Sequence, residues 1–498
     1  MTNLVVCCDG TWNTPTEMDH GLPSPTNVVK IYNALVKDDA QRVYYHPGVG
    51  TGKNWWDKIA GGGTGEGLDQ NIMSAYNWLA RNYAPGDRMS LFGFSRGAYT
   101  VRSLGGLICG HGLLDLRSVD TAAEAWKRVG DVFAAYRKGV DFANPDGYGF
   151  HDRAATGIHL IGVWDTVGAL GIPDDLALLG LLDNPERYRF HDTTLSPKVS
   201  HARHALAIDE RRASFAPTQW TASAASTTLK QIWFPGVHCD IGGGYAETAL
   251  SDRTLEWMIE EAEGCGLAFR DKVKDQLAPD QLGVAHDSCT GVFKALKTRP
   301  RPVPPIPKGA AVLDTSTLGR NKNPPLLQGD YWPTKVLDVG ESHPVDIFAA
   351  ERWNSTGLYL EAGNTYELTA SGEWVDHKDK FGPDGQEAAG FHLGDLVRAA
   401  GSALGEAESV FKSTTGREAD FWWTRRDEDA PWFALMGFIA NDTGEDVKTP
   451  AHGESFLIGT EKSVTPKLGG YLYAYANDAW QAYNNNRGSV ALIVKRTA

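Results

Sequence analysis

Three residues of this chain have the types and the order that ester cleavage needs. Ser95 lies in Gly93-Phe94-Ser95-Arg96-Gly97, a Gly-X-Ser-X-Gly pentapeptide. A serine hydroxyl is a weak nucleophile until a base takes its proton and an acid orients that base. Downstream, Asp165 closes the apolar run Ile158–Trp164, and His238 follows the run Gln231–Phe234 within Pro235-Gly236-Val237-His238-Cys239-Asp240. Among the histidines, only His238 falls just past an expected strand, in a Gly-rich loop, after both Ser95 and a strand-end acid. Two other aspartates compete for the acid's place. Asp209 stands in Ala207-Ile208-Asp209-Glu210-Arg211-Arg212, where a salt bridge to the arginines is the expected role. Asp240, close behind the histidine, would otherwise orient its loop or hold a substrate group.

Such residues act only if strands and turns bring them together. The apolar run Met89–Phe94 reads as a strand, and Ala98, Val101, Leu104 and Leu107 continue at helical spacing. Strand, Gly-X-Ser-X-Gly and helix form the nucleophile elbow of an α/β-hydrolase, in which the chain order is Ser, acid, His and each sits at the C-terminal end of a strand. The helix start supplies the Arg96 N–H to a developing oxyanion, and a second donor is expected from Gly10 and Thr11, in the loop after the apolar strand Leu4–Cys8. Asp9, in the same loop, reads as a loop-fixing carboxylate.

Further elements alternate. Helices are expected over residues 26–37, 68–83, 122–137 and 252–265, and a strand over 42–45, while residues 174–230 read as mixed. The Gly-rich runs 48–52 and 61–67 lack the Gly-Lys-Ser/Thr ending of a phosphate-binding P-loop and read as a lid or loop. Strands alternating with helices imply a doubly wound, mostly parallel sheet. A proline-rich stretch, Thr298 to Pro307, then marks a change of texture, followed by irregular sequence and by short β runs between Gly, Asn and Asp turns. The expected organisation is an α/β-hydrolase domain over 1–297, a linker and irregular connection over 298–345, and a β-sandwich or jelly roll over 346–498.

Composition narrows the partners. A formal net charge of −14 argues against nucleic acid and against a polybasic membrane anchor. No apolar run reaches the length of a membrane span, and the start MTNLVVCCDGTWN lacks the basic and apolar regions of a Sec signal peptide, so cytoplasmic synthesis is expected. The six cysteines lack paired metal spacing and are expected to be reduced and mostly buried.

The stretches CDGTWN, LFGFSRGAYTVRSLGGLI, GVWDTVGALGIP, ALAIDERRASFAPTQW and WFPGVHCDIGGGYAE resemble those of a bacterial α/β-hydrolase family, the Tle lipase effectors of type VI secretion. The resemblance implies a Ser-Asp-His esterase acting on phospholipid acyl esters through Ser95, Asp165 and His238, without a catalytic cofactor. It also implies delivery by the secretion apparatus and an immunity protein as a partner. The amphipathic membrane-docking segments of some members are not evident in this sequence. Toward the C-terminus, AGNTYELTASGEW, KFGPDG and YANDAWQAYNNNRGSVALIV resemble the calcium-dependent, galactose-binding bacterial lectins. That likeness implies Ca²⁺ on Asp478, Asn485 and Asn486 and a backbone carbonyl near Val375, with Ala482 where the lectins have a Thr ligand. It also implies a galactose-type sugar, on which Trp480 and Tyr483 would stack. The expected function is therefore a serine carboxylic-ester hydrolase, a lipase or phospholipase with a carbohydrate-binding-like targeting module. The alternative is a non-catalytic adaptor on a vestigial hydrolase scaffold.

Overall fold

The computed structural model describes residues 1–10, 18–48, 64–168, 194–221, 227–290, 293–294, 297–386, 425–441 and 453–498. Thr11 and, of the two Gly-rich runs, residues 49–52 and 61–63 lie outside these residues, while residues 64–67 open a helix where a lid or loop is expected. The chain forms two compact units. One comprises Met1–Thr290 with Ala310–Gly329, the other Gly291–Gly309 with Asp330–Ala498.

The first unit is built on strands β1 (Asn3–Cys8), β4 (Gln41–His46), β5 (Arg88–Phe94), β6 (Ile158–Trp164), β7 (Val199–Ala207) and β8 (Thr228–Phe234), with a small hairpin β2 (Met18–Asp19) and β3 (Leu22–Pro23). The six-stranded order is β4-β1-β5-β6-β7-β8, parallel throughout. A parallel sheet is covered on both faces, so its strands are apolar on both sides. Leu4, Val6, Met89 and Leu91 face Ile72, Leu79 and Leu104 from helices Thr64–Asn82 and Arg96–His111. Their sequence neighbours Val5, Cys7, Phe92 and Phe94 face Val28 and Ile31 of helix Asn27–Ala34 and Leu255 and Met258 of helix Ala249–Gly264. The period of two thus feeds two cores. The strand order reverses direction between β1 and β5, and crevices at such switch points, beyond the strand C-termini, are where open α/β sheets bind ligands.

β7 falls inside the stretch that reads as mixed. Its polar residues hide it: Arg203 is buried against Glu261, and the fully buried His204 Nε2 accepts the Thr166 N–H at 3.1 Å. The expected linker is divided between the units. Leu313 bridges to Trp233 in the first unit, where Asp314 caps helix Thr315–Lys322 and pairs with Arg253 at 2.9 Å. Ile306, by contrast, is buried in the second unit and donates its N–H to the Tyr471 hydroxyl at 3.0 Å.

In the second unit, β10 (Asn354–Leu360), β16 (Gly470–Ala476), β13 (Leu435–Ala440) and β14 (Glu454–Leu457) form one antiparallel sheet. The other runs β12 (Asp379–Phe381), β11 (Tyr366–Asp376), β17 (Asn486–Arg496) and β9 (Ser342–Phe348), with β15 (Glu461–Val464) also paired to β11. Leu358, Leu435 and Leu472 of the first sheet share a core with Leu368, Trp374 and Val490 of the second, so the sheets pack as a sandwich.

Candidate active site

Ser95 is the residue between β5 and the helix Arg96–His111, and its backbone is held at φ 56° and ψ −122°. A non-glycine residue at positive φ costs free energy, which the surroundings must supply. They do so through close approach. A Cβ on Gly97 would stand 2.1 Å from the Cys8 carbonyl oxygen, and one on Gly93 would stand 2.4 Å from that of Gly97. Only glycine lets the elbow helix pass this close to the end of β1. Ser95 donates its own N–H to the Trp164 carbonyl at 3.1 Å, which ties the elbow to the end of β6.

Asp165 follows Trp164 directly, at φ 37°, and is fully buried. The end of β7 fixes it: its N–H donates to Ala205 O at 2.7 Å, and its Oδ1 accepts the Ala207 N–H at 3.0 Å. Its Oδ2 lies 2.6 Å from Nδ1 of His238. Because an ionised carboxylate only accepts, Nδ1 carries the proton and Nε2 keeps its lone pair. That Nε2 is buried and has no hydrogen-bond partner among the described residues. The ring packs on Phe94, the residue before Ser95, at 4.6 Å between centroids, and edge-on against Phe215 at 5.0 Å. Burial pushes the imidazole pKa down more than Asp165 raises it, so the net shift is downward and the neutral form is favoured. Ser95 Oγ is not bonded to Nε2 in this structure. Such contacts commonly close only when substrate is bound. A neutral, oriented imidazole packed on the residue before a strained serine at a helix N-terminus has the chemistry that acyl transfer needs.

The remaining expected residues divide. Asp9 is buried and accepts from Thr26 Oγ1, the Tyr45 hydroxyl and the Gly10 N–H, which fixes the loop after β1. The Gly10 N–H is thereby engaged with Asp9 Oδ1 at 2.7 Å. Arg96 opens the elbow helix and is itself buried, which lowers its pKa to about 10. In the segment around Asp209 two carboxylates have distinct contacts. Glu210 pairs with Arg212 at 2.7 Å, and Asp209 accepts the Gly236 N–H at 2.7 Å. The reason is position: β7 has ended, and the fully buried Glu210 points at Arg212, at the Ser288 hydroxyl (2.8 Å) and at the His238 N–H (3.3 Å). Asp240 orients the histidine loop, accepting the Val237 N–H at 2.9 Å. Two further residues of the site are not flagged by the sequence: Glu210, whose only signal is its place between Asp209 and two arginines, and His286, which bonds Asp240 at 2.6 Å and has no signal.

The second unit gathers oxygen donors where the calcium resemblance points. Asn486 Nδ2 donates to Asp478 Oδ2 at 2.9 Å, and Asn485 Nδ2 to Asp376 Oδ1 at 2.8 Å. Asp376 is the cross-strand partner of Asn486, so the two side chains share a face. Asn486 Oδ1 is buried without a partner. Two carboxylates and two amides, one of them with an orphaned oxygen, are hard donors that fit Ca²⁺. Among the described residues no group of three or more His, Cys, Asp or Glu stands where it could hold a metal. Trp480 and Tyr483 are buried, with the Arg426 guanidinium 4.9 Å from the Trp480 ring, so both pack inward instead of forming an open sugar platform.

The family model of the type VI secretion phospholipase effectors, Tle1-like catalytic domain, matches residues 2–261. The chain belongs to this family. The matched span contains Ser95, Asp165 and His238 and stops short of His286. The uncharacterized protein YEL023C of Saccharomyces cerevisiae is 30% identical over 245 residues, which cover 43% of this chain and 32% of the yeast protein. The chain thus spans about a third of the curated relative it matches. An uncharacterized protein from Pseudomonas aeruginosa is similar at 16% identity over 56% of this chain and 49% of that one, with a TM-score of 0.33. A Tle1 effector bound to the VgrG spike of the type 6 secretion system is similar at 18% identity over 49% and 51%, with a TM-score of 0.29. No helix among the described residues is long and apolar enough to cross a membrane.

Proposed function

We propose that this Tle1-like domain is a serine phospholipase of the A type, with Ser95 as nucleophile, His238 as general base and Asp165 as the acid that orients it. The observation that carries the reading is the buried, unpartnered Nε2 of His238, with Nδ1 bound to Asp165 at 2.6 Å. Ser95 Oγ attacks the acyl carbonyl carbon while Nε2 takes the hydroxyl proton. The oxyanion forms at the helix start, on the Arg96 N–H and a donor from the loop beginning at Gly10. The tetrahedral intermediate collapses, the imidazolium gives its proton to the departing lysophospholipid oxygen, and an acyl ester remains on Ser95. Water, deprotonated by Nε2, then attacks that ester, releasing the fatty acid and restoring the serine. Labelling with a fluorophosphonate followed by peptide mapping tests this: the adduct belongs on Ser95, and an adduct elsewhere, or none, contradicts it.

The family membership supports delivery through the secretion spike, and the proposal includes an immunity protein in the producing cell. The sandwich serves as a targeting module in which Asp478, Asn485, Asn486 and Asp376 would hold Ca²⁺ and a galactose-type sugar would bind. Bound Ca²⁺ would supply a cationic centre for sugar hydroxyls. Calorimetry with Ca²⁺, then galactose, tests this part: heat from both is expected, and none from Ca²⁺ with Asp478→Ala. The absence of Ca²⁺ heat in the wild type removes it.

A further inference from the structure

A second aspartate–histidine pair stands behind the turn that carries His238. Asp240 is buried, and its Oδ2 accepts the Val237 N–H at 2.9 Å and the His286 N–H at 3.1 Å. Its Oδ1 lies 2.6 Å from His286 Nδ1. Gly236, at φ +112°, leaves the space for this: a Cβ there would stand 2.5 Å from the Cβ of Asp240. The His286 ring lies flat on Tyr245, with centroids 3.8 Å apart and planes at 18°, and its Nε2 is 3.4 Å from the exposed Glu247 carboxylate. Asp240, Glu247 and the Tyr245 ring are thus the groups that face it.

The two histidines are biased in opposite directions. Burial lowers the pKa of both, but at His286 the bond and charge of Asp240, joined by Glu247, outweigh burial and the net shift is upward. At His238 burial wins. Where His238 titrates, His286 is therefore already an imidazolium, and its charge cancels that of Asp240. The charged groups that face the His238 ring are Asp165 and Glu210, which raise its pKa, and Arg212, which lowers it; without the His286 charge the Asp240 carboxylate, two residues along the chain, would add to the first two in favouring the protonated, inactive ring.

We infer that His286 is a positioning residue for the His238 base: through Asp240 it fixes the Val237–Asp240 turn and screens the Asp240 carboxylate from the His238 ring. The inference rests on His238 being the base. It uses a residue outside the span matched by the family model, and it gives the Asp240–His286 pair a positioning role beyond folding alone.

His286→Asn keeps a neutral N–H donor near the Nδ1 position and removes the charge. The His238 ring signal, assigned by its loss in His238→Gln, is followed by NMR against pH in wild type and in His286→Asn. The His238 titration should move up by roughly half to one pH unit, as for one unscreened charge at high effective dielectric. The acid limb of kcat/KM should follow, with the alkaline plateau within about threefold of wild type; His286→Ala, with no donor, should also lower that plateau about tenfold. An unmoved His238 titration in folded His286→Asn overturns the inference. So does the wild-type protein alone if His286 titrates below His238, a measurement that needs no variant. Hydrolysis untouched by Ser95→Ala would instead sink the reading of the site, and the ring titration keeps the two failures apart.

Discussion

Asp165→Asn isolates the role of the acid because the structure dictates how the amide must sit. One oxygen of Asp165 accepts the Ala207 N–H at 3.0 Å, and the other faces Nδ1 of His238 at 2.6 Å. In the variant the Ala207 N–H still requires an acceptor, so the amide oxygen turns toward it and the NH₂ group faces His238. An NH₂ donor forces Nδ1 to accept, and the ring proton moves to Nε2. Nε2–H cannot take the proton of Ser95. The backbone tolerates the change, since Asn is at home at the positive φ of 37° that Asp165 adopts. The tautomer switch should lower kcat by roughly three to four orders of magnitude, about 4–5.5 kcal/mol of barrier. The assay is fatty-acid release from phospholipid vesicles at saturating substrate, with thermal unfolding as the control for folding. A folded variant that loses less than about tenfold would refute the orientation of His238 by Asp165.

Three further outcomes follow from the same geometry. Gly97→Ala places a methyl 2.1 Å from the Cys8 carbonyl and 2.5 Å from that of Asp9, so the elbow must shift; hydrolysis should vanish and stability fall by about 1–3 kcal/mol in a denaturant melt. Glu210→Gln removes the fully buried carboxylate that pairs with Arg212, and should cost about 3–5 kcal/mol of stability by the same melt and lower kcat through the His238 turn. The downward-shifted pKa of His238 means that kcat/KM is lost only as pH falls through an apparent pKa below the ordinary imidazole value of about 6.5, and an acid limb centred above 7 would contradict the neutral, buried ring.

What was legible in the sequence followed from local chemistry. Ser95 announces itself because an elbow needs glycine at close approaches that no other residue survives, and Asp165 and His238 because apolar runs end just before them. The parallel sheet was readable from the same runs, apart from β7, where Arg203 and His204 break the apolar pattern and are satisfied by Glu261 and Thr166, partners far away in sequence. Glu210 and His286 were illegible for a related reason. Their roles depend on what the fold brings to them (Arg212, Ser288 and the His238 turn for one, Asp240 for the other), and a carboxylate or imidazole in a loop gives no sign of that. Helix Thr315–Lys322 was hidden by the prolines around it, which suggested a spacer where the chain in fact returns to the first unit. In the second unit the resemblance pointed to a backbone carbonyl near Val375, while the structure brings up the neighbouring carboxylate of Asp376.

The most direct test of the central claim is product analysis of phospholipid vesicles treated with wild type and with Ser95→Ala. Wild type should release fatty acid and lysophospholipid, and Ser95→Ala, folded to the same melting temperature, should release neither above background. Equal release by the two proteins, or diacylglycerol and a phosphorylated headgroup in place of fatty acid, would contradict Ser95 as the nucleophile of an acyl-ester hydrolase.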